Sequence, residues 1–400
     1  MLTDKTIIFA VSGGIAAYKA ADWIRKLRRE GAGVQVVMTV DATRFVTPLT
    51  FAALSGQKVY EGMFDPDDAE RIPHISLAAK ADLILVAPAT AQTIARLASG
   101  MADDLPSALV LANQSPVIIC PAMNSNMYLH PATQTNLERL KSYGYLIVDP
   151  DSGCLACDTE GPGRLADWSS AKEAIYSALS EQDLAGRKVL VTAGPTHEPL
   201  DPVRYLSNRS SGRMGFALAV TARRRGAEVT LVTGPTEFPD PPGMNVVRIT
   251  TAEEMAAEVL ERSAGMDVIV KAAAVSDFRP ADYSTGKLKK AGAGFTLELS
   301  KNRDILKILG ENKEKRPLPL LVGFAAESNN FIEEGWRKLR DKNLDLLAIN
   351  DITSEDAGFG VETNRITLLN RNGDQEKIPL LSKEDTASLI WRRVAGLLAE

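Results

Sequence analysis

Short apolar runs alternate with amphipathic segments along the first part of the chain. Runs rich in Val, Ile, Leu and Ala predict buried strands at residues 7–11, 34–38, 83–87, 117–120 and 145–148. Between them, apolar residues recur at helical spacing, which predicts helices at residues 16–30, 48–55, 91–99, 132–143 and 169–179. Because strands that are apolar throughout must be covered on both faces, this alternation indicates a parallel sheet between two layers of helices.

The same alternation starts again after a polar stretch at residues 180–187. Strands are predicted at residues 188–192, 228–233, 246–249, 268–272, 320–324 and 346–349, with helices at residues 214–225, 252–262 and 331–342. A hairpin of strands 365–369 and 375–379 and a capped helix from residue 382 follow. We therefore predict an α/β protein with two doubly wound, mostly parallel, Rossmann-like domains, at residues 1–182 and 183–400.

One segment interrupts this order. Residues 149–167 contain Gly153, Gly161, Pro162 and Gly163, together with two of the three cysteines of the chain. The segment is too long for a plain connection between a strand and a helix. We expect it to be a functional loop that covers the substrate.

Composition and charge narrow the classes of function. A chain of 400 residues exceeds one ordinary core, which agrees with two domains. Its net charge of -5 provides no general basic surface for nucleic acid. No apolar run is long enough to cross a membrane, and residues 1–10 lack the pattern of a signal peptide. We expect a cytoplasmic protein without nucleic-acid or membrane partners.

The cysteines indicate reactivity rather than a structural role. Cys120, Cys154 and Cys157 are too few for a disulfide framework. Cys154 and Cys157 have the spacing of half a zinc motif, but the histidines of the chain lie far away in sequence, which disfavours zinc. A reactive thiol on a mobile loop is the favoured interpretation.

The loop at residues 207–215 is the most informative part of the chain. It precedes a helix and has the sequence Ser-Asn-Arg-Ser-Ser-Gly-Arg-Met-Gly. A helix start offers free backbone N–H groups, and glycine lets phosphate oxygens approach the main chain. The loop matches neither the dinucleotide fingerprint nor the P-loop. It indicates a phosphate or nucleotide site of a less common type, with an ordinary strand-to-helix connection as the alternative.

Lysines of the second half could bind the same anion. Lys287, Lys289 and Lys290 form a compact basic loop, which is either a solvated charge run or a clamp on a triphosphate. Lys338 and Lys342 lie one helical turn apart on one face and could reach one anion together.

Four further residues of the second half are candidates for the same site. Arg204 and Asn208 neighbour the anion loop. Asp277 follows a strand end of small residues, where it could contact a ribose or hold Mg²⁺ through water. Phe324 ends a predicted strand and could frame a base.

Small and hydroxyl residues follow the strands of the first half. The segment Ser12-Gly13-Gly14 joins the first strand to the first helix, where small residues suit the phosphate of a flavin or nucleotide. Thr39 follows the second strand and could donate from its hydroxyl. Residues 88–93 follow the third strand, again where a ligand would bind, although Thr90 could instead be a helix N-cap.

Three side chains of the first half could carry out chemistry. His74 is a candidate base, although a lone histidine is more often structural. Asn124 could hold a carboxylate through a neutral amide, or form an Asx turn. Cys157 could act as an acid, because Asp158 and Glu160 would raise its pKa and keep the thiol protonated; the alternative is a spectator cysteine.

Together these segments resemble the bifunctional phosphopantothenoylcysteine decarboxylase/phosphopantothenate–cysteine ligase family of bacterial coenzyme A synthesis. The resemblance covers nearly the whole chain, in the same domain order. In the first half it rests on Ser12-Gly13-Gly14, the His74 segment, and residues 88–93, 100–105, 121–127 and 156–164. In the second half it rests on residues 192–196, 201–205, 207–215, 273–277 and 287–290.

For the second half, the resemblance implies a ligase that uses CTP and Mg²⁺. The carboxylate of 4'-phosphopantothenate is activated as an acyl-CMP with release of pyrophosphate, and the amine of cysteine then displaces CMP. Asn208 would hold the acyl-cytidylate, and Lys287 or Lys289 would assist its formation or turnover. The residues implied in binding substrate or CTP are Arg204, Ser211, Gly212, Met214, Ala273, Asp277, Lys287, Phe324, Lys338 and Lys342.

For the first half, the resemblance implies an FMN-dependent decarboxylase. FMN oxidises the thiol end of the substrate, CO₂ leaves, and the enethiol is reduced, with Cys157 as proton donor. His74 would be a base or positioning group, and Asn124 would bind the departing carboxylate. The resemblance also implies trimers of this half, dimers of the ligase half and a combined dodecamer. The residues implied in FMN binding are Ser12, Gly13, Gly14, Thr39, Pro88, Thr90, Met101 and Asp103.

Two positions depart from the usual family pattern, and two other classes of protein stay open. The family usually has Asn where this chain has Gln92, and often Trp where it has Tyr128. A non-enzymatic flavoprotein would bind flavin without releasing CO₂, but retention of His74, Asn124 and Cys157 counts against it. A nicotinamide-dependent dehydrogenase would share the fold, but the missing G-x-G-x-x-G pattern and the basic loop count against that class.

Overall fold

The chain forms two compact units, Met1–Ser180 and Glu181–Glu400. A computed structural model describes residues 2–64, 72–155, 160–288, 296–313, 319–327, 331–351, 361 and 363–399. Of the predicted site residues, Cys157 and Lys289 lie outside the described residues. No helix in the described ranges is both long and apolar enough to cross a membrane.

The first unit is built on five parallel strands in the order β2-β1-β3-β4-β5. These strands are β1 (Thr6–Val11), β2 (Gly33–Met38), β3 (Leu83–Ala89), β4 (Val117–Pro121) and β5 (Leu146–Ile147). The helices are α1 (Ala17–Arg29), α2 (Pro48–Ser55), α3 (Pro73–Lys80), α4 (Ala91–Ser99), α5 (Leu105–Leu111), α6 (Ser125–Leu129), α7 (Pro131–Ser142) and α8 (Trp168–Leu179).

Strand β1, which has a parallel neighbour on each side, is buried on both faces. Ile7, Phe9 and Val11 pack into one core cluster, while Ile8 and Ala10 pack into another. Successive side chains of a strand point to opposite faces, so an uninterrupted apolar run supplies both cores. The apolar runs of the sequence predicted this arrangement.

The segment predicted to be a covering loop contains a hairpin. Strands β6 (Asp151–Cys154) and β7 (Glu160–Arg164) pair antiparallel, and Cys157 belongs to the connection between them. Sequence periodicity missed the hairpin because alternating glycines leave it with little apolar pattern.

The second unit contains an eight-stranded sheet in the order β12-β11-β8-β13-β16-β17-β19-β20, in which only the last two pairings are antiparallel. Its strands are β8 (Lys188–Ala193), β11 (Glu228–Thr233), β12 (Asn245–Arg248), β13 (Val268–Lys271), β16 (Leu320–Glu327), β17 (Leu346–Asp351), β19 (Ile366–Asn370) and β20 (Gln375–Lys377). The helices are α9 (Arg213–Arg224), α10 (Ala252–Arg262), α11 (Ile305–Lys313), α12 (Phe331–Asp341) and α13 (Lys383–Ala399).

Three small antiparallel pairs accompany this sheet. They are β9 (His197–Pro199) with β10 (Tyr205–Ser207), β14 (Phe278–Pro280) with β15 (Leu299–Lys301), and β18 (Thr363–Asn364) with β21 (Leu381–Ser382). None was predicted, because strands of two or three residues are too short to show an alternating pattern.

Each large sheet has one point at which the strand order reverses. In the first unit the chain moves outward from β1 to β2 on one side and to β3 on the other. In the second unit the same reversal lies between β8 and β13. Ligands of doubly wound sheets bind at the carboxyl ends of the strands beside such a switch point. The two sheets confirm the predicted fold class and define where each site should lie.

Candidate functional site

Ser12 joins two loops at the switch point of the first sheet. Its buried hydroxyl donates to the carbonyl oxygen of Pro88 at 2.6 Å and accepts from the backbone N–H of Thr90 at 2.9 Å. Thr90 is also the N-cap of α4, where its hydroxyl accepts from the N–H of Thr93 at 3.3 Å. Ser12 and Thr90 therefore shape the two loops, and the N-cap alternative for Thr90 is observed.

The two glycines after Ser12 differ in what surrounds them. A Cβ at Gly13 would lie 2.4 Å from the Cβ of Asp41, so this glycine lets the loop after β1 approach the loop after β2 closely. A Cβ at Gly14 would meet only a methyl group of Thr90, at 3.5 Å. Thr39 accepts a hydrogen bond from the N–H of Ala42 at 3.2 Å, which fixes the loop after β2. The main chain at Gly14 is thus the more open of the two.

Apolar side chains are exposed on the loops that follow β1 and β2. Ile15, Val40 and Phe45 expose 60%, 71% and 49% of their surface. Exposed apolar groups beside a backbone turn of small residues suit a ligand with a planar ring system and a phosphate. This arrangement fits a flavin nucleotide.

Two predicted cofactor residues lie after α4. Met101 exposes 48% of its surface, and Asp103 forms an ion pair with Arg96 at 3.2 Å. Gln92, which replaces the usual Asn, is exposed in the first turn of α4.

His74 is the second residue of α3 and is half-buried. Its Nδ1 atom is buried and has no hydrogen-bond partner among the described residues. Buried ring nitrogens are normally paired, so an unpaired one is a candidate for contact with a ligand.

The β6–β7 hairpin lies against the loop that carries Asn124. The N–H of Met123 donates to the carbonyl oxygen of Gly163 at 2.9 Å, and a Cβ at Gly163 would lie 2.2 Å from the Met123 oxygen. A Cβ at Gly161 would lie 2.7 Å from Ser125 Oγ, which is buried and lacks a partner in the described part of the chain. Only glycine allows this contact, which places the hairpin over Asn124.

Asn124 caps α6, and its backbone lies beside Gly163 of the hairpin. Its Oδ1 accepts from the N–H of Asn126 at 2.9 Å, so the Asx turn that was the alternative for this residue is observed. Tyr128, one turn further, donates from its hydroxyl to Asp149 at 3.3 Å. Burial, followed by the carboxylate of Asp149, raises the pKa of Tyr128, so its hydroxyl stays protonated.

The described cysteines differ in accessibility. Cys120 is fully buried in β4, and burial raises the pKa of its thiol far above the usual value. Cys154 is exposed on β6. The described residues contain no group of three His, Cys, Asp or Glu side chains arranged around a metal.

In the second unit, the anion loop leads into α9 through tightly packed glycines. Gly212 is the N-cap with φ of +79°, and its N–H donates to Ser210 Oγ at 3.2 Å. A Cβ at Gly212 would lie 2.7 Å from a methyl group of Thr236, and one at Gly215 would lie 2.5 Å from the Cβ of Ala193. The start of α9 therefore packs closely against the carboxyl end of β8, and the predicted residues Ser211 and Met214 are the immediate neighbours of these two glycines.

Asn208 lies beside the strand-end segment that contains Asp277. Its Nδ2 donates to the carbonyl oxygen of Val275 at 3.0 Å. The N–H of Ala273 donates to Thr192 Oγ1 at 3.1 Å, which holds the end of β13 against β8. Asp277 is exposed, and its backbone oxygen accepts from the N–H of Asn302 at 2.8 Å. The switch point thus brings Asn208, Ala273 and Asp277 together.

Arg204 contacts the start of the basic loop. Its guanidinium binds the buried carboxylate of Asp201 and donates to the carbonyl oxygen of Leu288 at 3.0 Å. Lys287, the neighbour of Leu288, is exposed. The structure therefore connects Arg204 with the loop that carries Lys287.

Lys271, Asp304 and Lys342 form a second group of charged residues in this unit. Lys342 pairs with Asp304 at 2.8 Å. Burial, followed by repulsion from Lys342, lowers the pKa of Lys271 to about 8, although Asp304 and Asp277 attract its charge. Phe324 is half-buried in β16, next to β13.

Comparison with known proteins identifies the family. Residues 1–180 match the Flavoprotein family, and residues 184–398 match the DNA/pantothenate metabolism flavoprotein C-terminal domain. The coenzyme A biosynthesis bifunctional protein CoaBC of Bacillus subtilis is 43% identical over 99% of this chain and 98% of its own length. The chain belongs to this family. Its Escherichia coli member is 45% identical over 97% of this chain and 96% of its own length.

Solved structures resemble each half of this family member. A C-terminal domain of CoaBC is 37% identical, covers 55% of this chain and 99% of its own, and has a TM-score of 0.47. A PPC decarboxylase variant complexed with pantothenoylaminoethenethiol is 26% identical, covers 43% of this chain and 96% of its own, and has a TM-score of 0.39.

Membership of the family confirms the predicted class of activity. The chain is a bifunctional enzyme of coenzyme A biosynthesis that combines a flavoprotein decarboxylase half with a ligase half. The roles of individual residues remain predictions.

Sequence reasoning missed three charged residues of the ligase half. Asp201 belonged to a family motif but received no role, although a buried acid between turn residues is unusual. Lys271 ends the apolar strand β13 and is half-buried, and its position directly after three apolar residues was a usable signal for a partly buried cation. Asp304 gave no signal, because its partner Lys342 is distant in sequence.

Proposed function

We propose that residues 183–400 join 4'-phosphopantothenate to cysteine with CTP, and that residues 1–182 decarboxylate the product. In the ligase reaction, the substrate carboxylate attacks the α-phosphorus of CTP, which forms an acyl-CMP and releases pyrophosphate. The amine of cysteine then attacks the acyl carbon, the amide forms, and CMP leaves. In the second reaction, the cysteinyl carboxyl group leaves as CO₂ and 4'-phosphopantetheine remains.

The proposed ligase roles follow from charge and position. Asn208 holds the acyl-cytidylate through a neutral amide, which adds no repulsion toward its phosphate. Lys287 or Lys289 stabilises the charge that develops as pyrophosphate or CMP departs. We propose that Mg²⁺ binds mainly to the CTP phosphates, as it often does, and that Asp277 holds it through water.

The remaining ligase residues are proposed to bind the nucleotide and the substrate. Backbone groups near Ser211, Gly212 and Met214 face phosphate oxygens at the start of α9. Phe324, Lys338 and Lys342 contact CTP, and Ala273 gives the ligand close access to the strand end.

In the decarboxylase half, we propose that the loops around Ser12, Gly14 and Thr90 hold FMN. Bound FMN supplies two-electron oxidation and reduction at the thiol end of the substrate. Asn124 orients the carboxylate that leaves, His74 accepts or orients a proton, and Cys157 donates a proton to carbon. The contact of the hairpin with the Asn124 loop supports this assignment, because Cys157 lies in the sequence between the two strands of that hairpin.

The observation that best supports the proposal is shared by both units. In each, several of the proposed residues follow strands beside the switch point of a parallel sheet: Ser12, Gly14 and Thr90 in the first unit, and Asn208, Ala273 and Asp277 in the second. A switch point is where such sheets bind their ligands.

One experiment tests both activities. The purified chain is supplied with 4'-phosphopantothenate and cysteine, and CO₂ is measured with and without CTP. Release that requires CTP would establish both reactions in one chain. Formation of pyrophosphate without CO₂ would support the ligase activity and refute the decarboxylase activity. Gln92, which replaces the usual Asn, would then be the first residue to test as the cause. If neither product forms, the proposed reactions are wrong for this chain.

We further propose that the enzyme acts in the cytoplasm as a homo-oligomer, with trimers of the decarboxylase half and dimers of the ligase half in a dodecamer. Exposed large apolar residues support subunit contacts: Leu49, Ile72, Ile75 and Leu111 in the first unit, and Val203, Tyr205, Phe278, Tyr283 and Leu299 in the second. Light scattering of the full chain measures the subunit number, and a monomer would refute the assembly.

A further inference from the structure

We infer that Asp201 is a positioning residue of the ligase site. With Arg204, it holds both backbone polar atoms of Leu288 and so fixes the start of the basic loop that carries Lys287. The inference deepens the proposed ligase function and rests on it for the role of that loop.

The Asp201 carboxylate is surrounded by donors. Its Oδ1 accepts from the N–H groups of Val203 and Arg204, each at 2.8 Å, and its Oδ2 accepts from Arg204 Nε at 3.0 Å and Leu288 N–H at 3.1 Å. The residue is only 3% exposed. A buried carboxylate with this many donors has a single compatible orientation.

Arg204 completes the attachment at the carbonyl oxygen of the same residue. Its guanidinium donates to Leu288 O at 3.0 Å while it binds Asp201. The neighbouring backbone adds a third connection, because the N–H of Ser284 donates to Leu200 O at 3.1 Å. Holding both the N–H and the C=O of one residue fixes its orientation as well as its position. Lys287, one residue earlier, therefore emerges from an anchored peptide.

The same turn leads to Asn208. Strand β10 runs from Tyr205 to Ser207, and the Ser207 hydroxyl donates to Thr196 O at 2.8 Å. Asn208 follows directly and binds Val275 O. The short segment from Arg204 to Asn208 is thus held at both ends, by the contact of Arg204 with the basic loop and by the hydrogen bond of Asn208. This segment sets the spacing between the two groups proposed to act on the acyl-cytidylate.

The contact with Arg204 and Leu288 requires the negative charge of Asp201. The hydrogen bond from Arg204 holds the pKa of Asp201 well below its usual value. Burial alone would raise this pKa, but the backbone N–H groups that donate to the carboxylate lower it further. An Asn at this position would keep one acceptor oxygen but turn an NH₂ group toward donors. The Leu288 N–H or the Arg204 guanidinium would then lose its partner inside the protein.

The first test compares two Asp→Asn variants of the full-length enzyme. Asp201→Asn should lower kcat/KM for CTP-dependent pyrophosphate release about 100-fold, since a displaced catalytic group costs that much. Asp282→Asn makes the same change of charge at an exposed residue between Pro280 and Ser284, and should stay within about twofold. Both should decarboxylate supplied phosphopantothenoylcysteine normally, because the first unit has its own core.

The second test separates positioning from general stability. In a Lys287→Ala/Lys289→Ala background, Asp201→Asn should cost less than about threefold more, because it acts through the lost lysines. A further loss of about 100-fold in that background would overturn the inference and show that Asp201 acts elsewhere.

A readout independent of activity is trypsin cleavage after Lys287. Cleavage should be about tenfold faster in Asp201→Asn than in Asp282→Asn, because the released peptide opens more often. Equal cleavage of the two variants would overturn the inference. If the unsubstituted enzyme releases no pyrophosphate, the proposed ligase function fails, while this cleavage still decides whether Asp201 anchors the loop.

Arg204→Lys provides a second variant if Asp201→Asn does not fold. Lysine keeps the charge beside Asp201 but cannot bind Asp201 and Leu288 O with a rigid fork. For Arg204→Lys we expect faster cleavage after Lys287 and a lower kcat of the ligase reaction, with little change in the KM for phosphopantothenate. An increase in that KM alone, with unchanged cleavage, would show that Arg204 binds substrate directly and would overturn the inference.

Discussion

The two halves of the enzyme share a sheet architecture but build their sites from different kinds of contact. In the first unit, Ser12 and Thr90 are held by neutral hydrogen bonds, and exposed apolar residues surround the open backbone at Gly14. In the second unit, Asn208 and Ala273 are also held by neutral hydrogen bonds, but the basic residues Arg204 and Lys342 pair with Asp201 and Asp304.

The difference follows the charge of the proposed ligands. A planar flavin and a departing neutral CO₂ need an apolar surface and neutral amides. A nucleoside triphosphate needs cations, which must themselves be held in place by buried acids. One fold thus serves two chemistries through the residues at the ends of its strands.

The largest expected effect tests the charge requirement of the ligase half. Asn208→Asp places a carboxylate beside the proposed acyl-phosphate and opposite the Val275 carbonyl oxygen, which now accepts from Asn208. We expect ligase kcat/KM to fall about 10²–10³-fold, as when an oxyanion donor is lost. Pyrophosphate release and amide formation measure it, with decarboxylation of supplied substrate as the internal control. Unchanged values for both ligase steps would remove Asn208 from the site.

The next prediction concerns the acid of the decarboxylase half. Cys157→Ser should stall the reaction after CO₂ loss, so that phosphopantetheine forms about 100-fold more slowly, as expected when a general acid is lost. Ligase activity should be normal. Cys154→Ser, at an exposed thiol of the same hairpin, is the matched control. Normal phosphopantetheine formation by Cys157→Ser would refute the proton-donor role.

A smaller effect tests whether the hairpin must lie on the Asn124 loop. Gly163→Ala would place a Cβ 2.2 Å from Met123 O in a backbone with φ of +139°, so the hairpin must shift. We expect decarboxylation to fall about tenfold through misplacement of the hairpin. Gly144→Ala, with φ of +85° and no atom within 4 Å of the new Cβ, provides strain without a clash. Equal decarboxylase activity of the two variants would contradict the prediction.

The smallest effect concerns Lys271, the half-buried cation at the end of β13 in the ligase half. The Lys271 pKa of about 8 lies below its usual 10.5, so from pH 8 to 10.5 the unfolded chain binds the proton and the folded chain does not. The penalty of the buried charge is therefore complete below pH 8 and fades above it. Lys271→Met should stabilise the second unit by about 1 kcal/mol at pH 7 and by less at pH 9.5.

Denaturant unfolding of both proteins at the two pH values measures this difference. An identical gain at pH 7 and pH 9.5 would show that Lys271 does not carry a buried charge in the folded protein.

The candidate sites could be predicted unevenly from the sequence. The anion loop was visible because glycines, serines and a helix start are local features, and Thr90 was recognisable as an N-cap for the same reason. Asp201 was not recognisable as an anchor, because its partner Leu288 is 87 residues away. The hairpin was not predicted, because its glycines are required by close contact with the Met123 loop and produce no alternating hydrophobic pattern.

The sequence by itself determined the order of the main strands, the presence of two α/β halves and the mostly parallel character of both sheets, but not helices α3, α5 and α11 or the short strand pairs. Those properties follow from hydrophobic period and run length, which act over a few residues. Only the tertiary structure decided which loops meet at each switch point, such as Ser12 with Thr90 across 78 residues, and which distant charges pair, such as Asp304 with Lys342. Such contacts depend on strand order and on the direction of individual side chains, and neither is encoded in a local pattern.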